Sequence, residues 1–339
     1  MRESKAMILG CSGKRLTPDE VRFYRDERPW GFILFARNIG EPSEISDLVA
    51  SMRDAVGRPE APVFIDQEGG RVQRLRPPVA PNYPAGAAIG AIYRADREAG
   101  LRAAWLLARL HAFDLLKFGI NADCLPVLDV PVEGANDVIG TRAYGKDPDT
   151  VTALGRAAAE GLMSGGVLPV MKHMPGHGRA FADTHLELPV VDTPLEELRR
   201  HDFAPFKALS HLPMGMTAHV VYSAVDPSAP ATTSAKVVSE IIRGEIGFDG
   251  LLISDDTSMK ALSGTFAEKA EAILAAGVDI VLHCNGDMAE MTGIASRTLP
   301  LAGRSLERAG RALSALPASD TVAEADVRAE FARHVELVA

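Results

Sequence analysis

Apolar runs alternate with amphipathic segments along almost the whole chain. Gly31-Phe32-Ile33-Leu34-Phe35 is a short continuous apolar run, typical of a strand buried on both faces. Thr17-Pro18-Asp19-Glu20 predicts a helix start, with a threonine cap, a proline at the first helical position and a glutamate placed for a capping box. The first predicted strand lies within residues 1–11, and the others cover 31–35, 61–65, 120–128, 167–171, 214–218, 250–253 and 279–282. The other predicted helices cover 44–56, 98–118, 150–164, 195–210, 235–246, 267–276 and 288–298.

This alternation predicts right-handed βαβ units and a parallel sheet covered by helices. Eight such units favour an α/β fold of the closed (β/α)8 TIM-barrel type over an open sheet. No Gly-x-Gly-x-x-Gly follows the first strand and no Walker loop occurs, so a nucleotide cofactor is disfavoured. We expect a single catalytic TIM-barrel domain over 1–339, in which about 300–339 forms a C-terminal helix and a charged tail.

Composition and charge exclude several classes of protein. With 47% hydrophobic and 24% charged residues, the chain is typical of a globular protein. Its formal net charge of −9, without a run of lysines or arginines, disfavours nucleic acid as a partner. The three cysteines, Cys11, Cys124 and Cys284, lack CxxC spacing, so neither a disulfide framework nor a zinc knuckle is indicated.

The N-terminus has the order Ile-Leu-Gly-Cys after a basic start, which faintly resembles a lipoprotein signal. Its apolar stretch covers only about four residues, whereas a signal sequence needs about 7–15. No apolar stretch of about 20 residues occurs elsewhere, so we expect no membrane partner. We therefore expect a cytoplasmic protein whose first segment is a buried strand.

Polar and ionisable residues follow the predicted strands at their carboxyl ends, where barrels build active sites. They are Asp66-Gln67-Glu68-Gly69-Gly70-Arg71, Asp129, Lys172-His173, His219, Ser254-Asp255-Asp256 and His283-Cys284-Asn285. Arg74 and Arg142 lie on further loops and add the donors that sugar hydroxyls require. Structural salt bridges are the alternative role for these two arginines.

The densest group of titratable residues lies between Lys172 and His185. In an extended segment residues i and i+2 point to the same side, so Asp183 can orient the ring of His185 and raise its pKa. Such a histidine suits general acid and base catalysis near neutral pH. The alternative is an aspartate that caps the loop beside an exposed histidine.

Asp255 ends a predicted strand and brings a carboxylate to the mouth of the barrel. It could act as a nucleophile, as an electrostatic stabiliser or as the cap of the next helix. Spacing alone does not distinguish it from Asp256.

A zinc site deserves a test because His173 and His177 are four residues apart and His185 is near. Pro175, with glycines on both sides of His177, makes a helix improbable, so the helical pairing of zinc ligands is not available. We expect no metal and no cofactor.

The central motif resembles a known family. Lys172-His173-Met174-Pro175-Gly176-His177-Gly178, followed after four residues by Asp183-Thr184-His185, is similar to the Lys-His-Phe-Pro-Gly-His-Gly...Asp-Ser-His signature of glycoside hydrolase family 3. More narrowly, it resembles the family's single-domain bacterial β-N-acetylglucosaminidases. Supporting matches occur at 31–38, 66–72, 139–142, 218–220 and 254–256. Met174, Thr184 and Thr141 replace the usual phenylalanine, serine and aspartate, and the change at Thr141 leaves the orientation of Arg142 open.

The resemblance implies a retaining exo-β-N-acetylglucosaminidase, a β-N-acetylhexosaminidase. Asp255 would be the nucleophile, His185 the general acid and base, and Asp183 the residue that orients and tunes His185. Retaining enzymes normally place the two reacting groups about 5–5.5 Å apart. The resemblance further implies that the N-acetylglucosamine (GlcNAc) unit is bound by Asp66, Arg74, Arg142, Lys172 and His173.

The implied substrates are muropeptides such as GlcNAc-1,6-anhydroMurNAc-peptides, in which MurNAc is N-acetylmuramic acid, and the implied role is cytosolic peptidoglycan recycling. Two alternatives stay open: a β-N-acetylglucosaminide phosphorylase that passes the sugar to phosphate, and a non-catalytic muropeptide-binding protein. The sequence does not determine the oligomeric state, and we expect a monomer.

Overall fold

The computed structural model describes residues 3–180, 188–316 and 318–335. Within these residues eight parallel strands form one sheet: β1 Lys5–Leu9, β2 Pro29–Leu34, β3 Val63–Ile65, β4 Ala122–Asp123, β5 Leu168–Met174, β6 Met214–Thr217, β7 Leu251–Ile253 and β8 Val281–His283. Strands adjacent in sequence are adjacent in space, and β8 pairs with β1. A parallel bridge between Ile253 and Ile280 links β7 to the β8 segment and closes the barrel. The predicted fold class is confirmed.

Helices follow the strands and cover the outside of the barrel. They are α1 Pro18–Glu27, α2 Pro42–Val56, α3 Gly86–Ala95, α4 Arg97–Leu116, α5 Pro148–Ser164, α6 Leu195–Arg200, α7 Ala204–Ala208, a segment Val237–Glu245 with i→i+5 hydrogen bonds, α8 Phe266–Ala275, α9 Met288–Ala295, α10 Gly303–Ser314 and α11 Glu324–Val335. Short 3₁₀ turns occur at Ala36–Asn38 and Gly140–Arg142. Two small ribbons pair Gln67–Gly69 with Val72–Gln73 and Val190–Val191 with Val221–Tyr222.

The start of α1 follows its sequence signals closely. Thr17 Oγ1 accepts a hydrogen bond from the Glu20 backbone N–H at 3.2 Å, and the Glu20 carboxylate accepts one from the Thr17 N–H at 2.7 Å. The same carboxylate also accepts the Ser12 N–H at 2.8 Å. The predicted capping box is therefore present and also fixes the loop between β1 and α1.

Some element boundaries differ from the prediction for local reasons. The helix predicted over 195–210 is divided into α6 and α7, because Pro205 cannot donate a backbone hydrogen bond and disfavours helical geometry in the residue before it. The strand predicted over 120–128 is reduced to β4 and one bridge between Val127 and Lys172. Pro126 lies between these two pieces and also lacks an N–H group.

The segment after residue 300, predicted as a helix and a charged tail, contains the two helices α10 and α11. In α11 only Val327 and Phe331, four residues apart, are buried. Arg328 Nη2 contacts Asp114 Oδ1 of α4 at 2.7 Å. So few apolar positions on a polar helix explain why the sequence pattern did not predict α11.

Two hydrophobic clusters form the core. One lies between the sheet and the helices, and the other fills the barrel interior with alternate residues of the strands, such as Ile8, Val170 and Ile253. Leu301 and Ala309, from α10 and the segment before it, belong to the interior cluster. Because α10 covers the amino end of the barrel, the carboxyl ends of the strands carry the accessible cavity. No helix in the described ranges is long and apolar enough to span a lipid bilayer.

Candidate active site

A cavity of about 300 Å³ opens at the carboxyl ends of the barrel strands. Six of the eight predicted site residues line it: Asp66, Arg74, Arg142, Lys172, His173 and Asp255. The other two, Asp183 and His185, lie outside the described residues. The structure thus brings together side chains that are up to 189 positions apart, from Asp66 to Asp255 (255 − 66).

Asp66 is placed by the ribbon that follows β3. Gly69 and Gly70 have φ angles of 99° and 60°, in the left-handed region that favours glycine, and they turn the chain back. The Gln67 side-chain oxygen accepts the backbone N–H groups of Arg74 at 3.1 Å and Leu75 at 3.0 Å. This inward-facing glutamine locks the ribbon.

Asp66 and Glu68 are two residues apart, and both of their carboxylates contact Lys172. Alternate residues of an extended segment point to the same side, which explains why the pair can share one cation. Glu68 had no predicted role, and its i, i+2 spacing from Asp66 is the sequence signal that could have indicated one.

The result is a chain of five alternating charges, which we call the ionic chain: Arg74, Asp66, Lys172, Glu68 and Arg142. Arg74 Nη2 lies 2.8 Å from Asp66 Oδ2, and Lys172 Nζ lies 2.9 Å from Asp66 Oδ1 and 2.7 Å from Glu68 Oε1. Arg142 binds Glu68 with both Nε at 2.8 Å and Nη2 at 2.7 Å. Both arginines therefore form salt bridges, which was the alternative role predicted for them, and both also line the cavity.

Mutual attraction keeps the ionic chain charged. Burial alone would raise the pKa of Asp66, but Lys172 and Arg74 hold it well below its usual range. Burial would likewise raise the pKa of Glu68, but Arg142 and Lys172 lower it to about 2. The pKa of Lys172 is raised despite burial because Asp66 and Glu68 flank its ammonium group. Both carboxylates and the lysine are ionised at neutral pH.

The orientation of Arg142, which the sequence left open at Thr141, is fixed by Glu68. Thr141 is exposed, whereas the Arg142 guanidinium is held at both ends of the Glu68 carboxylate. A bidentate pair of this kind fixes direction as well as distance.

Asp129, which follows β4, organises the histidine segment. It is fully buried, and its Oδ1 accepts the backbone N–H groups of His173 at 3.2 Å and His177 at 2.7 Å. Its Oδ2 lies 2.7 Å from His173 Nδ1. Burial would raise the pKa of Asp129, but His173 lowers it to about 2. The carboxylate therefore accepts the Nδ1 proton of His173 and orients the ring at the cavity wall.

His177 has a different environment from His173. It is buried, and its Nδ1 has no hydrogen-bond partner among the described residues. Burial, followed by the nearby His173, lowers the pKa of His177 to about 4. This ring is neutral at physiological pH.

The two aspartates that follow β7 differ in their hydrogen bonds. Asp256 Oδ1 accepts the backbone N–H groups of Ser258 at 3.0 Å and Cys284 at 3.1 Å, and its Oδ2 accepts the Ser258 hydroxyl. The Asp255 carboxylate accepts only the Asp256 N–H, at 2.7 Å, from the described part of the chain. Both carboxylate oxygens of Asp256 thus accept hydrogen bonds that hold the turn, whereas Asp255 keeps one carboxylate oxygen available in the cavity.

The charge of Asp255 is favoured by its neighbours. Burial would raise its pKa, but His219 and then His173 lower it below the usual value. His219 is fully buried after β6, with Nδ1 2.7 Å from Thr232 Oγ1 and Nε2 donating to the Asp256 carbonyl at 3.0 Å. Asp255 is therefore ionised at neutral pH.

The donor set of the cavity suits a polyol. Within the described ranges no group of three or more His, Cys, Asp or Glu side chains is arranged to hold a metal. The cavity wall combines guanidinium, ammonium and carboxylate groups with apolar side chains such as Phe35 and Met216. This arrangement can hold a sugar ring beside an ionised carboxylate.

Comparisons with known proteins agree with this geometry. The family model described as "Glycosyl hydrolase family 3 N terminal domain" matches residues 20–303. A β-hexosaminidase of Alkalilimnicola ehrlichii is 38% identical over 283 residues, which cover 82% of this chain and 80% of that protein. A β-hexosaminidase of Bordetella avium is 36% identical over 335 residues, 97% of this chain and 94% of that protein.

Solved structures match over a similar extent. The crystal structure of NagZ from Neisseria gonorrhoeae in complex with N-trifluoroacetyl-D-glucosamine has a TM-score of 0.87 and 30% identity, and the match covers 99% of each chain. The predicted resemblance to the family's single-domain bacterial β-N-acetylglucosaminidases is confirmed by these matches. The predicted enzyme class, a glycoside hydrolase of the β-N-acetylhexosaminidase type, is confirmed as well. The chain therefore belongs to glycosyl hydrolase family 3.

Proposed function

We propose that the protein is a retaining exo-β-N-acetylglucosaminidase that removes non-reducing terminal GlcNAc from muropeptides such as GlcNAc-1,6-anhydroMurNAc-peptides. The observation that carries this proposal is the ionised carboxylate of Asp255, which lines the cavity together with five predicted sugar-binding side chains. Because the chain belongs to a family of glycoside hydrolases, we infer that this carboxylate acts on a sugar.

The size of the cavity supports exo action. At about 300 Å³ it lies at the lower end of the range for small-molecule sites, roughly 300–1,000 Å³, which favours one sugar ring over a long oligosaccharide. The β-hexosaminidase relatives and the N-acylglucosamine bound to the Neisseria NagZ structure support GlcNAc as that ring.

In the proposed mechanism Asp255 attacks the anomeric carbon while the bond to the leaving oxygen breaks. His185, oriented by Asp183, protonates that oxygen, and a glycosyl ester forms on Asp255. Water then attacks the ester with His185 as base, which releases the sugar with its original configuration and regenerates the carboxylate. The roles of His185 and Asp183 rest on the sequence motif, and that of Asp255 also on its free oxygen and lowered pKa.

His173 and the four members of the ionic chain that line the cavity are proposed to bind the sugar hydroxyls. Arg74, Lys172 and Arg142 supply donors, and Asp66 supplies an acceptor. The choice of a muropeptide over other GlcNAc glycosides, and a cytoplasmic role in peptidoglycan recycling, rest on the sequence resemblance.

A proton NMR time course on p-nitrophenyl N-acetyl-β-D-glucosaminide tests the reaction. We expect the enzyme to release β-GlcNAc first, at a rate that does not depend on added phosphate. The α-anomer should grow in later by mutarotation. Initial α-GlcNAc would contradict retention, and a phosphate-dependent sugar phosphate would identify a phosphorylase. Binding without any cleavage would identify a non-catalytic protein.

The proposed substrate needs a separate comparison. We expect kcat/KM for a GlcNAc-1,6-anhydroMurNAc-peptide to exceed that for N,N′-diacetylchitobiose under the same conditions. Equal values would contradict the muropeptide preference and leave the glycosidase assignment intact.

A further inference from the structure

We propose that Glu68 is a positioning residue for this reaction, which holds Arg142 and Lys172 in the orientation in which they bind the sugar. This inference rests on the proposed function of the cavity. The other four members of the ionic chain line the cavity, whereas Glu68 lies behind its wall with a side chain that is 4% exposed. It therefore acts through its two partners.

Both oxygens of Glu68 are occupied by these partners. Oε1 lies 2.7 Å from Lys172 Nζ and also 2.7 Å from Arg142 Nη2, and Oε2 accepts Arg142 Nε at 2.8 Å. One carboxylate thus bridges two cations that would otherwise repel each other. The geometry with Arg142 is the parallel fork that guanidinium and carboxylate groups form.

The partners come from different parts of the fold. Lys172 is part of β5, whereas Arg142 ends a 3₁₀ turn in the long connection between β4 and α5. Among the described residues, the Arg142 side chain makes one hydrogen bond besides those to Glu68. Its Nη1 donates to the Val138 carbonyl at 3.2 Å, within the same loop. Glu68 is thus the side chain that fixes the Arg142 guanidinium to the barrel.

Loss of the Glu68 charge would release this fork without removing either sugar-binding residue. Glu68→Gln has the same size, but its amide nitrogen is a donor and would face a cation that is also a donor. Among the described residues Lys172 would keep Asp66 as its one counterion, and the long side chain of Arg142 would regain rotamer freedom.

This predicts a specific kinetic signature. Residues that hold substrate equally in the ground state and the transition state affect KM and leave kcat unchanged. We expect Glu68→Gln to raise KM about tenfold, because charge-assisted bonds to the binding groups are weakened, with kcat changed by less than about threefold. A purely structural role would instead lower the active fraction, and hence the apparent kcat, at unchanged KM.

The matched control is Asp279→Asn. Asp279 is also a buried acid with two cationic partners, Arg243 at 2.7 Å and Arg308 at 3.1 Å, but it lies just before β8, at the opposite end of the barrel. We expect this variant to lose thermal stability and to keep the KM of the wild type.

The experiment measures kcat and KM on p-nitrophenyl N-acetyl-β-D-glucosaminide for wild type, Glu68→Gln, Glu68→Asp, Arg142→Gln and the Glu68→Gln/Arg142→Gln double variant. The proposal expects the double variant to raise KM by less than the product of the single effects, because Glu68 acts partly through Arg142. Glu68→Asp, which keeps the charge, should recover part of the lost affinity, and it remains informative if Glu68→Gln does not fold.

An unchanged KM in Glu68→Gln would overturn the inference. If Glu68→Gln does not fold, an unchanged KM in Glu68→Asp would overturn it instead. A double variant whose KM rises by the full product of the two single effects would also overturn it. A wild-type enzyme without activity on this substrate would instead overturn the proposed function. The two failures are therefore distinguishable.

Discussion

Replacement of Asp129 by asparagine tests the organisation of the histidine segment. In the native protein Oδ1 accepts the backbone N–H groups of His173 and His177, and Oδ2 accepts the His173 ring N–H. An asparagine can keep its carbonyl oxygen toward the two backbone groups, but its NH₂ group then faces His173 Nδ1. The ring must release its Nδ1 proton, so that the proton of a neutral ring lies on Nε2.

The magnitude follows from the one contact that changes. A hydrogen bond to a charged group contributes about 1.5–3 kcal/mol, and Asp129 is fully buried, so solvent does not replace it. We expect the free energy of unfolding to fall by about 2 kcal/mol. Since each 1.36 kcal/mol corresponds to a factor of ten, a similar loss in transition-state binding through His173 lowers kcat/KM by about 30-fold or more.

Urea unfolding gives the stability change, steady-state kinetics on p-nitrophenyl N-acetyl-β-D-glucosaminide give kcat/KM, and ¹⁵N NMR of the imidazoles reports the tautomer of His173. Asp279→Asn, a buried aspartate remote from the cavity, is the matched control and should keep kcat/KM. A variant of Asp129 within about 0.5 kcal/mol and twofold of wild type would refute this reasoning, because these values lie within the range of ordinary surface substitutions.

Two further predictions concern the remaining histidines and the buried acids. His185→Ala should lower kcat by about 100-fold or more, because it removes the proposed proton donor, whereas His177→Ala should lower it far less; equal losses would contradict the division of roles. The pKa values of Glu68 and Asp129 are lowered to about 2 in the folded protein, so their ionised forms stabilise it above their unfolded pKa values of about 4. That contribution is lost as the pH falls toward about 2, and urea unfolding over this range should show a steeper loss of stability for wild type than for Glu68→Gln. Parallel curves would refute the assignment for Glu68.

The fold was largely predictable because its signals are local and repeated. Continuous apolar runs such as Gly31 to Phe35 indicate strands buried on both faces, and the capping residues at Thr17 and Glu20 fixed the start of α1. α3 was not predicted, since it is built on small residues: a Cβ at Gly90 would lie 1.7 Å from the Tyr144 carbonyl oxygen. Such close packing depends on a neighbour distant in sequence, and the two glycines of this ten-residue segment lower its helix propensity.

The candidate site was predictable where a side chain faces the cavity and much less where it lies behind it. Lys172 and Asp66 were selected because they follow or end strands at the carboxyl face. Glu68 and Asp129 also follow predicted strands in the sequence. Their function, however, depends on which cation or ring each carboxylate contacts, and only the folded chain shows this. The roles of Asp183 and His185 stay predictions from the sequence motif.

In the proposed mechanism Asp255 forms the covalent intermediate. Incubation with a fluorinated N-acetylglucosaminyl fluoride, which forms such an ester quickly and releases it slowly, followed by proteolysis and mass spectrometry, locates the sugar. We expect one sugar per chain on the Asp255 carboxylate, and no labelling of the Asp255→Asn variant. Attachment to Asp256, or turnover with inversion and no adduct at all, would contradict it.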